Sequence, residues 1–260
     1  MLNAVRIVAH KEILDGMRDV RSLVSALLYA LMGPVVVGLV SRTIPAGARN
    51  GGEVLIGMMS IFTLVAAFVG GMNVAMDLVA GERERRSLLP LLLNPVGRST
   101  VALGKWLAVA FFALCGLSVN LAGSALVWWK IGVRTPPLTP LAVLAVPLAL
   151  APLALLAAAV QLLTSTVCRS TKEAQTYLSL IVFLPMGAGM FLVFSPPAAQ
   201  SWIRLLPLAG SQLLLESFLG SGRAPLPAAI ELACATLALT IPMLWIVANR
   251  LQRDEIIYGS

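Results

Sequence analysis

Six separate apolar runs, each about long enough to cross a bilayer, constrain this chain more than any other feature. They cover residues 22–40, 54–79, 101–129, 141–167, 177–194 and 228–248. A hydrocarbon core about 30 Å thick takes about 20 residues of helix. In lipid, backbone N–H and C=O groups find no water, so a lone spanning segment satisfies them best as an α-helix. Pro34, Pro147, Pro152, Pro185 and Pro242 fall inside the runs, where neighbouring helices make a kink tolerable. The expected fold class is therefore an all-α membrane protein with six transmembrane helices, forming one domain over residues 1–260.

Composition excludes the main alternatives. Hydrophobic residues make up 58% of the chain and charged residues 12%. A soluble enzyme, a nucleic-acid-binding domain or a disordered tail would carry far more polar surface. The net charge of +7 reads as the cytoplasmic excess of Lys and Arg found in membrane proteins, and no nucleic-acid partner is expected. Placing both termini in the cytoplasm puts most of the 19 basic residues on that side and agrees with an even number of spans. The expected location is the inner (plasma) membrane, multi-pass. Trp128, Trp129 and Trp202 then fall near outer boundaries, as interfacial anchors do. Cys115, Cys168 and Cys234 have no CxxC spacing, and His10 is the single histidine. Neither a disulfide framework nor a metal site is expected, and no catalytic residue.

Before the first span, Leu2, Val5, Ala9, Ile13, Met17 and Val20 recur at helical spacing, with charges on the other face. Residues 1–21 are expected to form an amphipathic helix in the membrane surface, or else a helix packed on a partner. Residues 195–227 contain two short apolar pieces, one starting at Trp202 and one from Gln212 to Leu219. Both are too short to span, and short re-entrant outer helices or an interfacial helix fit them equally.

The stretch from Asp77 to Lys105 is the most informative. Gly81 is placed to end the second span. Glu82, Arg83, Glu84, Arg85 and Arg86 follow as a mixed charge cluster. Ser87 and Leu88 then open an apolar piece too short to cross, and Asn94-Pro95 turns the chain before Arg98. A short helix with charged and apolar parts tied to two spans suits docking of a cytoplasmic partner. A solvated loop is the plainer reading.

This stretch resembles the cytoplasmic loop of type-2 ABC exporter permeases. The resemblance rests on Gly81, Glu82, Glu84, Ser87, Leu88, Leu91, Leu92, Pro95, Val96, Arg98, Gly104 and Lys105, with Arg86 where those proteins usually have Gly. Lys11-Glu12 and Arg18-Asp19-Val20-Arg21 are similar to the start of the same family. Lys172 to Tyr177, Leu206-Pro207 with Gln212-Leu213-Leu214, and Arg253 to Tyr258 resemble its NatB-like sodium-extrusion subgroup. The resemblance implies an elbow helix at 1–21, a coupling loop at 80–100 that includes a coupling helix, and a homodimeric pathway made with a second permease copy. It implies a separate ABC ATPase subunit, docked through Gly81, Glu82, Arg83, Glu84, Arg85, Arg86, Ser87, Leu88 and Arg98. The chain has no GxxxxGK[ST] phosphate loop, so ATP and Mg would be held by the partner and no cofactor directly. Sodium or another cation is the cargo the resemblance ranks first, ahead of a small drug, a peptide or a lipid.

Asn73, Asp77, Asn120, Gln161 and Glu231 are polar residues within the runs. Such residues are candidates for a transport pathway, or for interhelical hydrogen bonds. Gly70-Gly71, Gly116, Gly123, Gly187 and Gly189 allow close helix approach, within one chain or at a dimer seam. Two other classes compete. An intramembrane enzyme needs clustered Glu and His, which the runs lack. An ATP-independent secondary transporter needs repeated halves with matched breaks, and no convincing repeat is visible.

Overall fold

The computed structural model describes residues 2–43, 51–85, 97–131, 140–194, 201–221 and 226–251. Eight α-helices of more than three residues follow one another there. They are α1 (Leu2–Arg18), α2 (Val20–Val40), α3 (Gly51–Met76), α4 (Arg98–Ile131), α5 (Pro140–Val167), α6 (Thr171–Phe194), α7 (Pro207–Ser221) and α8 (Leu226–Arg250). Six of these helices, α2 to α6 and α8, are long and apolar enough to cross a membrane, and the protein is a multi-pass membrane protein.

The helix α3 is the axis of the bundle. In its most apolar window 67% of residues are buried, against 22% for each of α2, α6 and α8. It packs on α2, α4, α5, α6 and α7. One core cluster joins Leu64, Ala67 and Phe68 to Ala113 and Leu117 of α4, Leu150 and Leu153 of α5 and Leu215 of α7. The outer helices keep large apolar side chains such as Leu28, Phe183, Phe191 and Trp245 exposed. In lipid that arrangement is stable, because acyl chains are as apolar as the side chains they touch.

The close α3–α4 approach comes from glycine. A Cβ on Gly116 would lie 2.8 Å from the Gly70 Cα, and one on Gly71 would lie 2.8 Å from the Val109 carbonyl oxygen. Gly123 faces Pro34 of α2 and Gly189 faces Ile61 of α3 in the same way, whereas Gly187 has nothing within 4 Å. All but Gly187 thus serve packing within one chain.

At the end of α3 the helix does not stop at Gly81, as the position of that glycine suggests. It widens into a π turn over Asp77–Gly81 and continues through Glu82–Glu84. The Glu82 N–H reaches the Asp77 carbonyl, five residues back. Gly81 keeps ordinary helical dihedrals, so it is not a left-handed terminator. Its missing Cβ matters instead, because one would lie 2.7 Å from Asp77 Oδ1. At 1.5 Å per residue the whole of Gly51–Glu84 is about 51 Å long, well beyond a hydrocarbon core, so its last turns stand clear of the apolar slab.

The helix α1 also departs from the sequence expectation. Val5, Ala9 and Glu12 are its buried residues, while Leu2, Met17 and Val20 of the apolar stripe are exposed. The buried face seats on α4, where Gly104 admits Val8, a Cβ there lying 2.6 Å from Val8 Cγ1, and where Phe112 meets Gly16. Asp19 separates α1 from α2 and caps α2, accepting from the Arg21 N–H at 3.2 Å and from the Ser22 hydroxyl. The Ser22 hydroxyl holds the Asp19 carboxyl below its ordinary pKa. A depressed carboxyl stabilises above its unfolded pKa, and the effect is lost as pH falls through the folded value. Asp19→Ala is expected to cost about 1 kcal/mol, the usual worth of an N-cap. Thermal melts at neutral pH measure it, and the difference from the parent closes in strong acid.

Candidate functional site

The charge cluster after α3 is a junction between helices. Each of its four described members reaches a different place. Glu82 Oε2 lies 2.8 Å from Lys105 Nζ of α4. Arg83 Nη1 donates to the Cys168 carbonyl just after α5, at 3.4 Å. Glu84 Oε2 accepts from the Thr171 N–H at 2.9 Å and from its hydroxyl at 2.8 Å, at the start of α6. Arg85 Nη2 returns to Asp77 Oδ1 at 2.9 Å. The start of α6 is braced further by Ser170 and Glu173. The Glu173 N–H donates to Ser170 Oγ, and Glu173 Oε2 accepts from the Arg169 N–H, close to a capping box.

Lys105 is the centre of this junction. Its side chain is fully buried. It donates to Glu12 Oε1 of α1 at 3.1 Å and to the Leu78 carbonyl at 2.8 Å, besides its pairing with Glu82. The π turn makes this possible. A widened turn shifts carbonyls out of the regular i to i+4 pattern, and Leu78 presents its oxygen to the ammonium. The freed Ala80 N–H donates to Ser165 Oγ of α5 at 3.1 Å. A buried ammonium between two carboxylates and a carbonyl has its donors satisfied, which is the condition for tolerating such a charge. Lys11 stands beside the triad, 3.4 Å from Glu12 Oε1. Burial opposes its charge, yet the Glu12 and Glu82 carboxylates more than offset this and raise its pKa.

Beside the junction lies a cavity of about 520 Å³ between α1, the start of α2 and the end of α3. Glu12, Asp15, Asp19, Asp77 and Glu82 line it, facing Lys11 and Arg85. With Lys105 counted, the acidic groups exceed the basic ones by two.

The polar residues singled out within the spans do not converge. Asn73 Nδ2 donates to Ser25 Oγ at 2.7 Å and to the Ser22 carbonyl at 3.3 Å, tying α3 to α2. Asp77 faces the acidic cavity. Asn120 is buried, giving Nδ2 to the Ala30 carbonyl and receiving the Thr63 hydroxyl. Gln161 is buried and donates to the Phe68 carbonyl. Glu231 lies exposed on α8. Asn120 and Gln161 thus bind helices to one another. Of the coupling residues, Gly81 to Arg85 and Arg98 are described, while Arg86, Ser87 and Leu88 lie outside the described residues.

Sequence reasoning did not pair Glu12 with Lys105, although both sit in short fragments, Lys11-Glu12 and Gly104-Lys105, that stood out separately. It also missed Thr171, Ser165 and the carbonyls of Leu78 and Cys168. Backbone acceptors leave no mark in a sequence.

A model of the family described as ABC-2 family transporter protein matches residues 6–256. The ABC transporter permease protein NatB of Bacillus subtilis (strain 168) is 32% identical over 204 residues, covering 74% of this chain and 51% of that protein. The probable ABC transporter permease protein NosY of Pseudomonas aeruginosa is 30% identical over 127 residues, covering 46% of this chain and 43% of that protein. The chain spans about half the length of the curated relatives it matches.

Proposed function

The chain belongs to the ABC-2 family of transporter proteins, and from that premise we propose that it is the membrane-spanning subunit of an ATP-driven exporter. A separate ABC ATPase hydrolyses ATP on the cytoplasmic side. Two copies of the chain line the pathway, and the α1 end faces the cytoplasm. The observation that carries this reading is the junction itself. The charges of Glu82 to Arg85 grip α4, the α5–α6 connection and, through Lys105, α1. A push on the segment that follows Arg85 would therefore reach several spans at once, which a solvated loop could not do.

A cation is the cargo that the site favours. The cavity beside the junction carries an excess of carboxylates and includes Asp77, and a concave site of one sign raises the local concentration of opposite charge.

Purification of the full chain from its own host in mild detergent tests the partnership. A stoichiometric ATPase subunit and ATP hydrolysis are expected. A chain that purifies alone, without ATP hydrolysis in several detergents, would favour an ATP-independent secondary transporter. Coupling is tested by Glu84→Gln, which weakens the charge-assisted bonds to Thr171. Hydrogen bonds to charged groups are worth about 1.5–3 kcal/mol, so ATP-driven sodium flux into inverted vesicles should fall on the order of tenfold while the ATPase stays bound. Unchanged flux would remove the junction from the coupling path. Potassium and proton flux on the same vesicles decide among cations.

A further inference from the structure

At the end of the bundle away from the junction, the last turns of α2 and α4 leave an open groove of about 500 Å³ between them. Its floor is apolar and includes Pro34, Val35, Leu39 and Val127, and Gly38 deepens it by carrying no side chain. Its mouth is basic. Arg42 stands just past the end of α2 and Lys130 in the last turn of α4, and both are exposed and line the groove. Neither has a carboxylate within ion-pair distance among the described residues. Ser41 turns its hydroxyl onto its own helix, donating to the Gly38 carbonyl at 2.8 Å. In sequence, the stretches 44–50 and 132–139 add Arg49 and Arg134 and no Asp or Glu. The carbonyl end of a helix carries about half a negative charge. Two helix ends against two cations leave a surplus of roughly one positive charge.

Depth identifies the kind of counter-ion. Lys130 lies about 37 Å along α4 from Lys105, farther than a hydrocarbon core of about 30 Å is thick. Trp129 beside it is 80% exposed, as an interfacial aromatic is. The mouth therefore lies at headgroup level. From Arg42 to Pro34 the groove runs about 12 Å along α2, which takes its floor among acyl chains, and Val35 and Leu39 are exposed to them. The anions fixed at that level are lipid phosphates. A free anion would leave the apolar floor unused. A second copy seated here about a twofold axis would set Arg42 and Lys130 against the same two cations, because such a contact is self-complementary.

We propose that this groove binds one anionic phospholipid, with its phosphate between Arg42 and Lys130 and one acyl chain along Val35 and Leu39. The site does not depend on the transport reading.

The test counts lipids held by the full-length protein. Delipidated protein is exchanged into nonionic detergent with palmitoyl-oleoyl phosphatidylglycerol or with the phosphatidylcholine of the same chains, and native mass spectrometry reads the number retained. The parent should prefer phosphatidylglycerol. Arg42→Gln and Lys130→Gln should each lower its retention about fivefold, the usual worth of one basic residue at an anionic surface, and the double variant should show no preference. Gly38→Leu changes no charge but fills the floor, and should lose the lipid as well. A Cβ at Gly38 would make only ordinary contact, 3.6 Å from Val127 Cγ1, so the fold should tolerate it. Arg21→Gln, the same neutralisation at the other end of α2, should leave retention unchanged. Equal retention by parent and double variant at matched thermal midpoints would overturn the proposal. So would an equal loss on Arg21→Gln, which would mean attraction by net charge alone. Displacement of the lipid by inorganic phosphate, beyond that by chloride of equal ionic strength, would mark a site for free anions and overturn it too. Loss of the lipid only when the protein is made monomeric would do the same, since a second copy would then close the groove.

Discussion

Lys105→Ala is expected to lower the stability of the purified protein by about 3–5 kcal/mol, the usual result of breaking a buried ion pair from one side. The ammonium is fully enclosed between Glu12 and Glu82. Its removal takes from Glu12 and Glu82 the buried ammonium they share, leaves Glu12 only the half-exposed Lys11 as an ion-pair partner among the described residues, and takes a donor from the Leu78 carbonyl. Three helices lose their common anchor, because Glu12 belongs to α1, Glu82 continues α3 and Lys105 belongs to α4. Unfolding followed by tryptophan fluorescence in detergent measures the loss. Lys105→Met combined with Glu12→Gln and Glu82→Gln removes all three charges together, and most of the stability should return, since neutral groups of similar size cost little to bury. That triple variant separates folding from coupling. If the junction transmits motion, the variant folds and still fails to drive flux. A folded triple variant with full flux would make the triad a purely structural feature.

The second large effect is expected at the α3–α4 crossing. Gly116→Ala would place a Cβ 2.8 Å from the Gly70 Cα. The neighbour is backbone, so no rotamer change relieves the overlap, and the helices must separate. Overpacking of a close-packed interior costs about 1–3 kcal/mol. Here the displaced helix is the axis of the bundle, and Asn120 and Gln161 hold hydrogen bonds across the same neighbourhood, so the upper end of that range is expected. Gly187→Ala is the matched control. Nothing lies within 4 Å of that position, and the substitution should stay within about 0.5 kcal/mol of the parent. Equal melting of the two variants would mean that α3 and α4 do not depend on glycine contact.

Much of this was legible in the residues, and for a definite reason. The number of spanning helices follows from run length against bilayer thickness, a comparison that needs no tertiary information. The family resemblance was visible in Gly81, Glu82, Glu84, Gly104 and Lys105. The interhelical role of Asn120 and Gln161 was one of two readings the sequence left open, and each residue finds its backbone or hydroxyl partner on a neighbouring helix.

Other features were invisible for equally physical reasons. Glu12 lies on the charged face of a helix read by periodicity, yet it is buried, because Lys105 draws that face inward. Gly81 looked like a terminator, but it makes room for Asp77 inside a π turn, a backbone widening with no signature in residue type. The charges of Glu82 to Arg85 could have been a solvated loop, and only their distances to Lys105, Cys168 and Thr171 show otherwise. Trp128 was expected to be an interfacial anchor, but it is buried in a cluster with Val37, Leu55 and Met59, a packing that only the folded helices create.

Six helices long and apolar enough to cross a membrane, and the family resemblance, could be read from the residues alone, because hydropathy and short motifs are local properties of the chain. Only the tertiary structure decided which charges are buried together. The helices α1 and α4 are joined at Glu12 and Lys105, positions far apart in the chain, and their pairing energy exists only once the helices have packed.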